Sequence, residues 1–275
     1  MQAVRGLVQQ FIDGQFNRSN LAWRLFQWLL NEGTIRLGSR QRLPSVHGMY
    51  AHRLPVNGLV AKIRQAERKT IQALKSARVE QEPSVTDRLL AAMEQAIDGT
   101  EIGGITWTAK TLTDRGRRSQ ESEFGADFLA VFRASLPDLD IAKGFLAQAK
   151  LVEPGERFPT SEAARLKAQC AKMLAHSPAS YVFLYSKQAG IFVVPAIEVL
   201  ATGDCNPHEL APMPMGRFYK QHFECFVGDR GLQTADPKGL YALRDRVEAR
   251  ELFLLSAGGW KARPAVDQGG VQTGN

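Results

Sequence analysis

Asp127, Gln148 and Lys150 are the residues of this chain whose types and spacing could do chemistry together. Asp127 stands in Gly125-Ala126-Asp127-Phe128-Leu129. The other two stand in Phe145-Leu146-Ala147-Gln148-Ala149-Lys150, after a turn-rich gap. Both stretches read as strands. Alternate side chains of a strand share a face, so Gln148 and Lys150 point the same way. Laid side by side, the two strands deliver an acid, an amide and a lysine to one spot. That set suits metal-dependent hydrolysis of a phosphodiester. Hard cations such as magnesium take oxygen ligands, the metal neutralises the scissile phosphate and activates water, and a basic group stabilises the charge that builds up in the transition state. Asp127 and Gln148 would offer side-chain oxygens, and Ala149 its backbone carbonyl.

The surrounding pattern supplies elements that could position these groups. A helix is expected from a cap at Ser84 or Thr86 through Ile97, closed by Asp98-Gly99. Residues 105–112 alternate in a β-prone manner, followed by a charged connector, DRGRRSQESEFG. Strands over 126–134 and 144–152 carry the candidate site. A helix capped at Thr160 or Ser161 ends before Pro178, and strands follow over 181–185 and 191–194. The order is helix, three strands, helix, two strands, which describes a small α/β sandwich on a mixed sheet. Helices are also expected over 21–30, 59–79, 218–226 and 236–256. The tail from 261 has the composition of disorder. The chain therefore divides into a basic helical segment over 1–82, a core over 83–200, a helical extension over 201–260 and a tail over 261–275.

Composition bounds the function. With 275 residues, 44% hydrophobic and 23% charged, the chain can bury a real core. No apolar run is long enough to span a bilayer, and the first residues lack a secretory pattern. Cys170, Cys205 and Cys225 are odd in number and widely spaced. They predict a reducing, cytoplasmic setting without a disulfide framework or zinc site. The net charge of +7 is segregated: residues 1–80 hold 13 Lys/Arg against 4 Asp/Glu, leaving 22 against 24 for the remainder. A basic segment on a near-neutral body implies contact with a polyanion. Arg36, Arg40, Arg42 and Arg53 are the candidates for DNA reading in that segment. Arg115, Arg117 and Arg118 of the connector are candidates for phosphate contact beside the site; they read equally well as a solvated loop paired with Glu121 and Glu123.

The acid strand, the Q-x-K strand and the order of elements over roughly 85–200 resemble the PD-(D/E)xK nuclease superfamily, with its restriction-endonuclease-like fold. The Gln148-Ala149-Lys150 variant is similar to Mrr-like enzymes. The resemblance implies a metal site for Mg2+ or Mn2+ at Asp127, Gln148 and the Ala149 carbonyl, with Lys150 orienting water or stabilising charge. It also implies a further acid, because Gln148 stands where a carboxylate usually stands. Glu94, on the preceding helix, is one candidate; Glu121 and Glu123 are alternatives. Gln169 matches a position where RecB-like relatives carry a site-facing glutamine. The activity implied is cleavage of double-stranded DNA in a prokaryotic restriction or anti-phage system, with a homodimer or a defence partner as the natural assembly. The alternative is a non-catalytic nucleic-acid-binding module or assembly subunit on a degenerate nuclease fold.

Overall fold

The computed structural model describes residues 53–113, 125–136, 139–203, 205–234 and 237–258. These run as α1 (Arg53–Lys75), α2 (Glu82–Ile97), β1 (Thr100–Ile102), β2 (Ile105–Thr113), β3 (Ala126–Leu136), β4 (Leu139–Leu151), α3 (Thr160–His176), β5 (Ser180–Ser186), β6 (Gly190–Pro195), α4 (Ala196–Ala201), a 3-10 turn (Pro207–Glu209), β7 (Met213–Pro214), α5 (Met215–Phe223), α6 (Pro237–Arg246) and β8 (Ala249–Gly258). The strands form one mixed sheet in the order β1-β2-β8-β3-β4-β5-β6-β7. β3 and β4 are antiparallel, with Phe128 opposite Ala147. β4 and β5 are parallel, joined through α3. The α/β class and the mixed, helix-flanked sheet agree with the sequence pattern.

Alternation along the strands sorts side chains between two cores. Phe128, Ala130, Phe132, Phe145, Phe183 and Tyr185 face a layer with α1, α2 and α5. Leu129, Val131, Leu146, Val182 and Leu184 face Leu166, Cys170 and Met173 of α3, Val199 of α4, and Leu240 and Leu243 of α6. The first core is aromatic: Phe145 meets Phe128, Phe183, Phe218 and Tyr219 with ring centroids 5.0–6.1 Å apart. Phe145 stacks on Phe183 and meets the other three rings edge to face, and such pairs add about 0.5–1.5 kcal/mol each beyond burial. It lies under the β3–β4 pair and fixes the two strands that carry the candidate site.

Three local expectations are revised. α1 is basic on one face only. Its Val56, Leu59, Val60, Ile63 and Leu74 are buried in the first core at helical spacing, while Arg64, Arg68, Lys69 and Lys75 take the exposed face. α2 begins two residues before Ser84: Gln81 is the N-cap, Pro83 occupies the first turn, and Glu82 is a helical residue. The third revision is the largest. Residues 236–256 are not one helix. α6 stops at Arg246, Glu248 adopts φ 52°, and β8 enters the middle of the sheet, antiparallel to β2 and parallel to β3. β2 and β3 are therefore not neighbours, and the segment expected as a helical extension holds a central strand.

Phe253 of β8 is 1% exposed. Phe253→Ala should therefore cost about 3–5 kcal/mol, the range for a buried aromatic truncation. Urea denaturation followed by fluorescence would measure it. A loss under 1 kcal/mol would contradict a central β8.

Candidate active site

The site forms where β4 outruns its neighbour. β3 starts at Ala126, while β4 continues to Leu151. Odd-numbered residues of β4 direct their backbone groups toward β3, so past Ala147 the N–H groups of Ala149 and Leu151 have no strand to bond. A buried N–H without a partner is costly. Two carboxylates take them: Asp127 Oδ2 accepts from Ala149 N–H at 2.8 Å, and Glu82 Oε2 accepts from Leu151 N–H at 2.8 Å. The free edge of the strand thus gathers two acids from different elements.

The side chains between those caps complete the cluster. Gln148, 4% exposed, donates through Nε2 to Asp127 Oδ2 at 2.5 Å and to the Ala149 carbonyl at 3.3 Å. Lys150, 2% exposed, donates from Nζ to Glu82 Oε1 at 3.1 Å and lies 3.6 Å from Glu162 Oε2 of α3. Glu162 is in turn held by Arg165 at 2.7 Å. On β8, Arg250 reaches Asp87 of α2 at 3.2 Å. The spot therefore joins β3, β4, β8, α2 and α3.

Burial raises the Asp127 carboxyl above its usual range, and the Glu82 charge adds to this. The Ala149 N–H and the charges of Arg250 and Lys150 oppose it. Burial likewise raises Tyr185, whose hydroxyl meets Thr86 at 3.0 Å beneath the site. Cys170, on the α3 face over β4, is pushed up to about 12 by burial and is a thiol rather than a nucleophile at neutral pH.

Asp127, Gln148, Ala149 and Lys150 are thus brought together. Glu94 is not among them. It lies three turns along α2 from Glu82, and its Oε2 accepts from Thr111 N–H of β2 at 2.8 Å. Glu82 holds the position for which Glu94 was the candidate. Pro83 carried the missing signal: proline is favoured at the first helical positions, which draws Glu82 into the helix. Gln169 lies on α3 two turns beyond Glu162, and its Oε1 is buried with no hydrogen bond among the described residues. Arg53 starts α1. Arg36, Arg40, Arg42, Arg115, Arg117, Arg118, Glu121 and Glu123 lie outside the described residues. Among the described residues no group of three or more His, Cys, Asp or Glu side chains stands at metal-holding spacing; the cluster at β4 instead mixes Asp127 and Glu82 with an amide, a carbonyl and a lysine, Glu162 meeting only the lysine. His222 is buried and pairs with the Val227 carbonyl at 3.0 Å.

The raised Asp127 carboxyl sets a stability trend. The folded state favours the protonated acid. That contribution is complete below the unfolded carboxyl pKa and is lost as pH rises through the raised folded value. Asp127→Asn keeps an oxygen for Ala149 N–H without the buried charge. It should raise Tm at neutral pH, each kcal/mol appearing as about 2–4 °C, and the gain should shrink toward pH 4. Differential scanning calorimetry across pH would read this, and a lower Tm at pH 7 would contradict it. Comparison with protein-family models, curated proteins and solved structures finds no match.

Proposed function

We propose that this chain is a divalent-metal-dependent DNA endonuclease built on a restriction-endonuclease-like core. The observation that carries the reading is the meeting of Asp127, Gln148, the Ala149 carbonyl and Lys150 at the free edge of β4, with Glu82 joining from α2. Glu82 answers the weakness left by Gln148, because it brings a second carboxylate to the site.

The residues fit Mg2+ or Mn2+ as chemistry. Asp127 and Glu82 offer carboxylate oxygens, and Ala149 and Gln148 offer neutral ones, which is the oxygen set hard cations take. Burial already penalises the Asp127 charge, so a cation there would relieve an existing cost. Bound there, the ion would neutralise the scissile phosphate and lower the pKa of a water. The chain itself does the positioning. Asp127 is fixed by Gln148 and Ala149 N–H, and Lys150 is fixed between Glu82 and Glu162. Lys150 thereby presents a donor where negative charge would develop on the phosphate, without reorganising at the moment of reaction.

Double-stranded DNA is the proposed substrate. The excess positive charge of residues 1–80 supports a polyanionic partner, and the exposed basic face of α1 belongs to that excess. A restriction or anti-phage setting and a homodimer extend the family resemblance. The Gln148–Asp127 hydrogen bond favours a second reading, a nucleic-acid-binding module without catalysis, because it satisfies the acid with no cation.

Plasmid cleavage separates the two. The wild type should nick or cut supercoiled DNA with Mg2+ or Mn2+ and lose this in EDTA. Lys150→Ala and Glu82→Gln should each slow cleavage by about 10²–10³-fold, whereas Glu94→Gln should cleave at the wild-type rate. Metal-dependent cleavage unchanged in Lys150→Ala would overturn the site. DNA binding without cleavage in either metal would support the second reading.

A further inference from the structure

Arg250 has a place in this cluster that the acid-and-lysine pattern does not predict. The β3–β8 register pairs Ala126 with Ala249 and Phe128 with Glu251, which sets Arg250 level with Asp127. β4 sets Gln148 and Ala149 against the other side of the same carboxylate. Asp127 is therefore flanked by Lys150's strand on one side and by a guanidinium on the other. The Arg250 charge is felt at Asp127 and at Tyr185, in keeping with its place beside Asp127 in the β3–β8 register.

Arg250 acts electrostatically on Asp127 and Glu251, and its ion pair among the described residues is with Asp87. Its Nη2 meets Asp87 Oδ1 at 3.2 Å, and the Asp87 side chain is 59% exposed. Water screens such a pair, and exposed ion pairs of this kind add little stability. Arg250 Nε is buried with no hydrogen bond among the described residues. A guanidinium carries five donors in a planar fork that matches phosphate oxygens. Here one arm rests on a rim carboxylate and another donor is unmet.

We propose that Arg250 binds a non-bridging oxygen of the phosphodiester at this site, and that Asp87 holds the guanidinium until the substrate displaces it. The inference rests on the nuclease reading for its substrate. It uses Arg250 as a charge opposite Lys150, so that the phosphate lies between two cations with Asp127 behind it. Asp87 is then a placeholder, and removing it should help rather than harm.

The test compares Arg250→Gln, Arg250→Lys and Asp87→Asn in the full chain. Binding of a short blunt DNA duplex is read by fluorescence anisotropy in EDTA across a salt series, and single-turnover cleavage is read with Mg2+. Arg250→Gln should weaken duplex binding, reduce the salt slope by about one, and lower the cleavage rate about 10²-fold. Arg250→Lys should restore the salt slope and only part of the rate, because the charge returns without the fork. Asp87→Asn should tighten binding. If Arg250 serves only the ion pair, Arg250→Gln and Asp87→Asn will move together or leave binding unchanged, and either result overturns the proposal. Should Arg250→Gln fail to fold, Arg250→Lys still decides: a lower cleavage rate at an unchanged salt slope upholds the role of the fork, and a wild-type rate overturns it. If the wild type cleaves nothing, the nuclease reading fails, and the EDTA binding arm alone upholds or overturns the role of Arg250.

Discussion

The site depends on one mismatch of lengths: β4 runs two hydrogen-bonding positions past its last pairing with β3, Phe128 with Ala147. A strand edge left open inside a protein must find acceptors for its N–H groups. Here the acceptors are Asp127 and Glu82, both carboxyl groups and both from outside β4. The backbone demand of Ala149 and Leu151 is what holds two carboxylates near each other in a partly buried place. Without that demand they would separate, because like charges in low dielectric repel. The same capping aims the Ala149 carbonyl into the space the acids border. The clustering of these groups is therefore a by-product of edge satisfaction.

Lys150 is the counterpart of this arrangement. A lysine 2% exposed is tolerated only when paired, and α2 and α3 each send a glutamate to it. This ties the helices on opposite faces of the sheet to one side chain. The aromatic core under β3 and β4 keeps the strands rigid while the polar groups above them meet. Stability and site geometry thus draw on the same pair of strands, yet from opposite faces. That is why the Asp127 charge can oppose folding locally without loosening the sheet.

Much of this was legible in the sequence. Asp127, Gln148 and Lys150 were readable because strand alternation is a local rule, and each lies beside apolar residues in a run of strand length. Glu82 was not, because Pro83 looked like the start of a unit and Ser84 and Thr86 like caps; proline at a first helical turn explains the difference. Glu94 is an acid on the right helix, but at 1.5 Å per residue it stands about 18 Å along the axis from Glu82, and it serves β2 instead. β8 was hidden for another reason. Residues 236–256 are rich in leucine, alanine, arginine and glutamate, all good helix formers. What makes 249–258 a strand is the pair of open edges offered by β2 and β3, which no local window contains. The continuous apolar run Leu252-Phe253-Leu254-Leu255, buried or half-buried throughout, was the trace of a strand covered on both faces.

The position of β8 also bears on how the molecule is assembled. β8 is the last described strand in the chain and one of the most central in the sheet. During synthesis, β2 and β3 must wait for it with their inner edges bare, across more than a hundred residues of intervening chain. Contacts so distant in sequence make for slow folding, and bare edges invite pairing with other chains meanwhile. Arg250 arrives with that same strand. The nascent protein therefore acquires its acid, amide and lysine well before the guanidinium beside them, and Arg250 would be the final piece of the cluster set in place as the sheet closes.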